Sequence, residues 1–344
     1  MTTRPPKMKD IARKLGVSPA TVSRALSGTG LVAEPTLSRV REAAEALDYR
    51  PNVSARNLRR QSSMTVLMVV RDIGNPFYLE VMKGVEAAAR AAGYAVLMGN
   101  TENDPDREAD YFAMLRDGNA DGMVLMTGKL PSSRFRLDRL PVVVALESVA
   151  GTAFPHVVID NAAAAREAVR HLISLGHRRI AHIAGPPAEP MAILRRDGFR
   201  AAMAEAGLAI PAGYEQAGDY LLQGGRDGCR ALLALPDRPT AIFCANDEMA
   251  FGAIHELRRS GLDVPRDVSV VGFDDIYLSQ AIYPPLTTVS QPRAEIGRMA
   301  MTVLLGIMAG GDPPREPVTM PTTLMLREST APAREFEPLR GLGS

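Results

Sequence analysis

Apolar positions change their spacing once along this chain, near Met64. Before that point they recur three or four residues apart in short blocks, the signature of small amphipathic helices. The stretch KDIARKLGVSPATVSRAL, Lys9 to Leu26, reads as two helices around a Gly16-Val17 turn. Asp10 opens the first, whose apolar face is Ile11, Ala12 and Leu15. Ser18 is a good N-cap for the second, and Pro19 suits its first position. Val22 and Leu26, four apart, face inward, which turns Ala20, Thr21, Ser23 and Arg24 outward. A loop with Gly28 and Gly30 leads to a third helix over about 35–47, where Leu37, Val40, Ala44 and Leu47 close a three-helix core. Its N-cap position is Ala33, which offers no side-chain acceptor and costs about 1 kcal/mol relative to Ser. Pro51 ends this run. Asn52 to Arg60, NVSARNLRR, allows about two helical turns, too few to hold in water unaided. It is either a flexible basic linker or a hinge that folds on DNA.

After Met64 short apolar runs alternate with helical periodicity. The pattern predicts strands at 66–70, 95–99, 122–126, 142–146, 157–159, 180–184, 241–244, 268–272 and 287–290. It predicts helices at 77–92, 107–116, 162–175, 194–206, 224–235, 248–260 and 293–308. Such alternation makes parallel, doubly wound α/β sheets, and there are enough units for two. Ligands of open α/β sheets sit at the carboxyl ends of strands. Here those ends are the loops at 71–78, 127–132, 185–195, 218–224, 245–248 and 273–276. The tail from Ala331 reads as disordered.

Charge sharpens the division. The 344 residues carry a net charge of only +1, but residues 1–63 hold twelve Lys/Arg against five Asp/Glu, a net of +7. The remainder holds 28 basic and 34 acidic residues, a net of −6. A basic, folded head on a mildly acidic body meets a polyanion with the head alone. The head has the layout of a helix-turn-helix whose second helix enters a DNA major groove; the plainer alternative is a helical hairpin with a solvated face. Only two cysteines occur, Cys229 and Cys244, so no disulfide framework is expected and a reduced, cytoplasmic setting follows most simply. No apolar run approaches a membrane span, and MTTRPPKMKD lacks the apolar centre of a signal peptide.

Catalytic chemistry is not in view. The histidines at 156, 171, 177, 182 and 255 have no metal-ligand spacing, and no G-x-S-x-G elbow is present. Gly122 to Lys129 has the wrong spacing for a phosphate loop, and Leu130 stands where Ser or Thr is needed. The reading is therefore a non-enzyme without cofactor or metal.

The order of sequence blocks gives a more specific pointer. MKDIARKLGVSPATVSRALSG is followed by YRPNVSARNL, DIGNPFYLEVMKGVE, VIDN, LISLGHRRIAHIAGP, RRDGF, PTAIFCANDEMAFGAI, VPRDVSVVGFDD and PPLTTVSQPRAEIGRMAM. In these blocks the chain resembles the LacI/GalR family of bacterial transcription regulators over about residues 8–330. The resemblance implies a DNA-binding headpiece at 1–50 and a hinge at 51–63. It implies a core at 64–330 like the periplasmic sugar-binding proteins, followed by a tail at 331–344. The core would have an N-subdomain of about 64–160 and 291–320 and a C-subdomain of about 161–290 and 321–330. It further implies a homodimer on pseudo-palindromic double-stranded operator DNA, with a small-molecule effector between the subdomains. The alternatives are a periplasmic-type sugar-binding protein without a regulatory role, and an activator of the same family. A tail without leucine heptads argues against a tetramerising coiled coil.

Roles follow from matched positions. The helix from Ser18 would lie in the major groove. Arg24 would read a guanine edge, Thr21 and Ser23 bases or phosphates, and Ala20 a methyl group. Leu58 matches the family's minor-groove wedge, with Ala55 beside it and Asn52 on the backbone or a base. For the effector, Phe77 and Tyr78 match the ligand-facing start of the first core helix, with Asp72 and Asn75 just before it. Arg195 matches the family's effector arginine, Tyr220 an aromatic stacking position, and Asn246, Asp274 and Gln291 positions that meet hydroxyls. Each has a plainer reading: Asp72 or Asn246 as helix caps, Asp274 as an arginine's partner, Tyr220 as core. GMVLMTGKLPSS and FDDIYLSQAIYPPLTTVSQPRAEIGRMAM are most similar to the cytidine-responsive branch, which implies a nucleoside. Cys244-Ala245-Asn246-Asp247 is the version of sugar-responsive members, so a pentose or hexose is the rival.

Overall fold

The protein is described by a computed structural model over residues 6–27, 32–49, 62–128, 130, 140–149 and 151–333. It divides into two units, Met1–Ser63 and Met64–Ser344.

The head consists of α1 (Met8–Leu15), α2 (Pro19–Ser27) and α3 (Glu34–Ala46). α1 starts two residues before Asp10. Asp10 is not its first residue but its third, and its carboxylate reaches back to accept the Lys7 amide at 2.9 Å. Gly16 ends α1 at φ +66°, a left-handed turn that any Cβ would strain. Ser18 caps α2, its Oγ accepting the Thr21 amide at 3.0 Å. Ala33 precedes α3 without a side-chain cap. Ile11, Val22 and Val40 are fully buried and interlock with Ala12, Ala25, Ala43 and Ala44. The inward pair on α2 is therefore Val22 and Ala25, while Leu26 packs on the rim.

The second unit holds two six-stranded sheets. In the first, β2 (Ala95–Asn100) is an edge and β1 (Thr65–Val70) lies beside it. β3 (Gly122–Leu125), β4 (Val142–Ala145), β5 (His156–Ile159) and β11 (Val318–Met320) extend the other side, giving the order β11-β5-β4-β3-β1-β2. All its pairings are parallel. The second sheet runs β12-β10-β9-β8-β6-β7. Its strands are β6 (Ile180–Ala184), β7 (Glu215–Ala217), β8 (Ala241–Cys244), β9 (Ser269–Asp274), β10 (Thr287–Ser290) and β12 (Thr323–Met325), and only β10–β12 is antiparallel. β1, β3, β4 and β8 are almost wholly buried because helices cover both faces, so they read as continuous apolar runs.

The covering helices are α4 (Phe77–Ala91), α5 (Pro105–Arg116), α6 (Asn161–Ser174), α7 (Pro190–Glu205), α8 (Leu222–Leu233), α9 (Asp247–Arg259) and α10 (Arg293–Met308). α4 and α10 cross at two glycines: a Cβ on Gly84 would overlap the Ala294 carbonyl, and one on Gly297 the Val81 carbonyl. This crossing brings α10 back to the first sheet after β10, and β12 later adds the edge strand of the second sheet. The chain passes between sheets after β5, after β10 and again between β11 and β12.

Three short strands escaped the sequence reading. β7, β11 and β12 are three residues each, too short for an alternating pattern to stand out from the sequence. α7 begins at Pro190, four residues before the expected start, because Pro occupies its first position within a stretch that reads as a turn. The tail also differs from expectation in its first residues. Ala331 is held by His177 Nε2 at 3.0 Å, and the Ala333 amide donates to the Leu175 carbonyl at 2.8 Å. The chain is thus tied to the second sheet as far as Ala333.

Candidate functional site

At the carboxyl ends of both sheets lies a cleft of about 220 Å³. Asp72, Asn75, Phe77, Tyr78, Arg195, Tyr220, Asn246 and Asp274, eight of the nine residues expected to meet an effector, line it. Gln291 does not. It is buried behind the cleft, where its Nε2 donates to Asp274 Oδ1 at 2.7 Å, so it aims Asp274.

Arg195 is the most constrained of these side chains. α7 delivers it into the interior, where it is 2% exposed. Nε donates to Asn161 Oδ1 at 2.9 Å and Nη1 to the Ala245 carbonyl at 2.5 Å. Its guanidinium lies 3.7 Å from the centroid of the Phe273 ring, and Asp274 Oδ1 is 3.6 Å from Nη1. A fork held on this many sides is fixed before any ligand arrives. Burial pushes the Asp274 carboxyl up to about 6, against the opposing pull of Arg195 and Arg293. Among the described residues, the contacts of Gln291 and Arg195 to this carboxylate both fall on Oδ1.

The plainer readings also hold some ground. Asn246 caps α9, accepting the Met249 amide at 3.0 Å, and its Nδ2 donates to the Tyr220 carbonyl at 2.8 Å. Asn75 accepts the Phe77 amide at the start of α4, and Asp72 accepts the Gly74 amide. Tyr220 stands at φ +67° with its ring against Gly185, where a Cβ would collide with it. Its hydroxyl is buried without a hydrogen-bond partner among the described residues, and burial pushes its pKa up to about 12. Leu146 (φ +71°) and Asp274 (φ +117°) share this left-handed strain. With Asn103 (φ +60°), four non-glycine residues with positive φ line one cleft, matching the clustering of backbone strain at ligand sites.

Three buried charged cleft residues, besides the exposed Asp219, were not singled out from the sequence. Arg71 follows β1, Glu147 follows β4, and Glu189 precedes α7. All three are buried. Arg71 pairs with Glu147, and its Nη1 lies 2.6 Å from Glu189 Oε2. The only signal for two of them was a charge placed directly after a wholly apolar strand, VLMVV-Arg71 and VVVAL-Glu147. Asp247 was also passed over. It is fully buried at the start of α9 and accepts from Ile276 N (2.9 Å), Ser279 Oγ (2.6 Å) and Thr288 Oγ1 (2.5 Å). It thereby anchors the loop after Asp274.

On the head, Ser18, Ala20 and Arg24 are exposed, whereas Thr21 and Ser23 are half-buried. The Ser18 and Thr21 hydroxyls bond each other at 2.8 Å. Asn52, Ala55 and Leu58 lie outside the described residues. No helix among the described residues is long and apolar enough to cross a membrane, and among them no group of three or more His, Cys, Asp or Glu is placed to hold a metal.

Comparison with known proteins matches both parts. Residues 7–52 match the bacterial regulatory proteins of the lacI family, and residues 169–330 match the periplasmic binding protein-like domain. The chain is 40% identical over 326 residues to the HTH-type transcriptional repressor CytR of Escherichia coli strain K12, covering 94% of this chain and 96% of that one. It superposes on the lac repressor dimer bound to operator and the anti-inducer ONPF with a TM-score of 0.82 at 26% identity, over 95% of this chain and 100% of that one. For the transcriptional regulator CelR–cellobiose complex the TM-score is 0.72 at 31% identity, covering 94% and 99% of the two chains.

Proposed function

The chain belongs to the LacI family of bacterial regulatory proteins and is a transcriptional repressor, and from that premise we propose how its two parts divide the work. The head binds operator DNA, with α2 in the major groove and Arg24 as the principal base reader. Two heads of a homodimer engage the halves of a pseudo-palindrome. The core binds a small hydroxyl-rich effector, a nucleoside or a sugar, in the cleft between its sheets.

The observation that carries the effector reading is the pre-aimed Arg195 facing the strained Asp274 and Tyr220 in one cleft. Arginine, carboxylate and aromatic groups around a small volume suit a polyhydroxylated ring. A ligand that touches both sheets favours one relative placement of the two over the other. That shift in population is the signal passed to the head. The CelR–cellobiose complex supports a sugar, and the likeness to the cytidine-responsive branch supports a nucleoside.

Selection of bound DNA from random sequence, with and without nucleosides and sugars, tests the whole. Enrichment of a palindrome that one ligand abolishes or enhances is expected, and the direction gives the sign of control. Failure to enrich any palindrome overturns the operator reading.

The cleft also makes a pH prediction. A ligand hydroxyl donates a stronger hydrogen bond to the ionised Asp274 carboxylate than to its protonated form, and burial holds this group up to about 6. Effector affinity is therefore full above pH 7 and falls as pH drops through about 6, by up to about tenfold per unit. Calorimetry from pH 5 to 8 checks this; Asp274→Asn should bind more weakly and flatten the profile.

A further inference from the structure

Two guanidiniums in one small cleft would ordinarily make an anion receptor. Here neither is left as a free cation. Arg195 is taken up by Asn161, the Ala245 carbonyl and Asp274. Arg71 sits between Glu147 and Glu189, and all three side chains are at most 10% exposed. Of the charged side chains lining the cleft, two are cationic, and five, Asp72, Glu147, Glu189, Asp219 and Asp274, are anionic. The triad also spans the cleft. Arg71 and Glu147 stand at ends of strands in the first sheet, and Glu189 leads a helix covering the second.

Resting on the reading of this cleft as the effector site, we propose that Glu147 and Glu189 make it a charge filter, admitting unphosphorylated hydroxyl-rich ligands and refusing their phosphate esters. Two features carry this. The first is charge: a phosphate monoester brings about −1.5 to −2 at pH 7 into a lining that is already net negative. Burial weakens the screening that would soften this repulsion. The second is hydrogen bonding. Glu147 Oε2 and Arg71 Nε are buried without hydrogen-bond partners among the described residues. One is an acceptor and the other a donor, carried by the two partners of one ion pair. A ligand hydroxyl satisfies both, donating to Glu147 and accepting from Arg71. A phosphate dianion has no proton to give and sets acceptor against acceptor at Glu147. The filter thus narrows the effector to a free nucleoside or free sugar.

The test uses the purified full-length protein, thermal stabilisation and calorimetry, with ribose, cytidine, ribose 5-phosphate and inorganic phosphate as probes. The wild type should gain no stability from inorganic phosphate and should prefer ribose to ribose 5-phosphate. Glu147→Gln with Glu189→Gln keeps both shapes but frees Arg71. This variant should bind ribose 5-phosphate at least about tenfold more tightly than the wild type does and gain a phosphate-dependent rise in Tm. Adding Arg71→Met should erase both gains. If the double variant does not fold, the single Glu189→Gln, which keeps the Arg71–Glu147 pair, should show a smaller gain in the same direction. A wild type that binds ribose 5-phosphate as well as ribose overturns the filter, and so do folded variants that gain no phosphate affinity. A wild type that responds to neither ribose nor cytidine counts against those two effectors, while the phosphate arm of the variants still decides the filter.

Discussion

Replacing Arg195 with methionine should destabilise the core by about 3–5 kcal/mol and abolish its response to effector. The side chain is buried, and the loss is not of one contact. Methionine strands Asn161 Oδ1 and the Ala245 carbonyl. It also leaves the Asp274 carboxyl in the interior with only Gln291 as a hydrogen-bonding partner among the described residues. Removing one member of a buried ion pair costs in this range because the other charge stays uncompensated. The 3.6 Å separation from Asp274 places most of the loss in desolvated charge and carbonyl contacts rather than in one ideal salt bridge. Urea unfolding of the core measures the loss. Arg195→Lys separates charge from shape: it keeps the cation but not the fork that meets Asn161 and Ala245 together. It should recover part of the stability and little of the effector response. A methionine variant as stable as the wild type would mean that Arg195 does not hold these loops.

Operator affinity should fall by about 10³ to 10⁵ between 50 and 200 mM salt, if the dimer makes the 6–10 phosphate contacts usual for such sites. The physical basis is the uneven charge: +7 on residues 1–63 against −6 on the rest. Only the head is attractive to DNA, so salt acts on the head's contacts and hardly on the core. A plot of log affinity against log salt should therefore be steep and linear. Arg24→Ala should lower affinity for the preferred operator by about 1–3 kcal/mol and relax preference at one base. A neutral substitution at a phosphate-contacting lysine should lower affinity evenly across sequences. A shallow salt slope would overturn the assignment of the basic head as the DNA-binding surface.

Much of the fold was legible because local chemistry and tertiary packing agree. β6, β8, β10 and α10 have the bounds that periodicity predicts. β6 and β8 are short, mainly apolar runs that stay buried, β10 buries Thr287, Thr288 and Val289, and α10 runs unbroken from Arg293 to Met308. The reading failed where a strand is too short to show a pattern. β7, β11 and β12 are strands only because a neighbour supplies the hydrogen bonds. The same limit applied to the site. The loops at strand ends were correctly expected to gather most of the cleft, since a parallel sheet presents all its carboxyl ends on one side. The role of Gln291 was misjudged because sequence position cannot distinguish a side chain in the cleft from one directly behind it.

The amino-acid order alone was enough for a basic helix-turn-helix head, an alternating α/β body and the division between them. These are written in spacing, capping residues and charge, all properties of neighbours in the chain. The Arg71–Glu147–Glu189 triad was decided by tertiary structure. Arg71 and Glu147 are 76 positions apart, and they meet because β4 and β1 both flank β3 in the first sheet. Glu189 reaches them from the other sheet. Local sequence shows where charges are placed on strands and helices. Only strand order and helix packing determine which of those charges share a low-dielectric space, and so what the cleft admits.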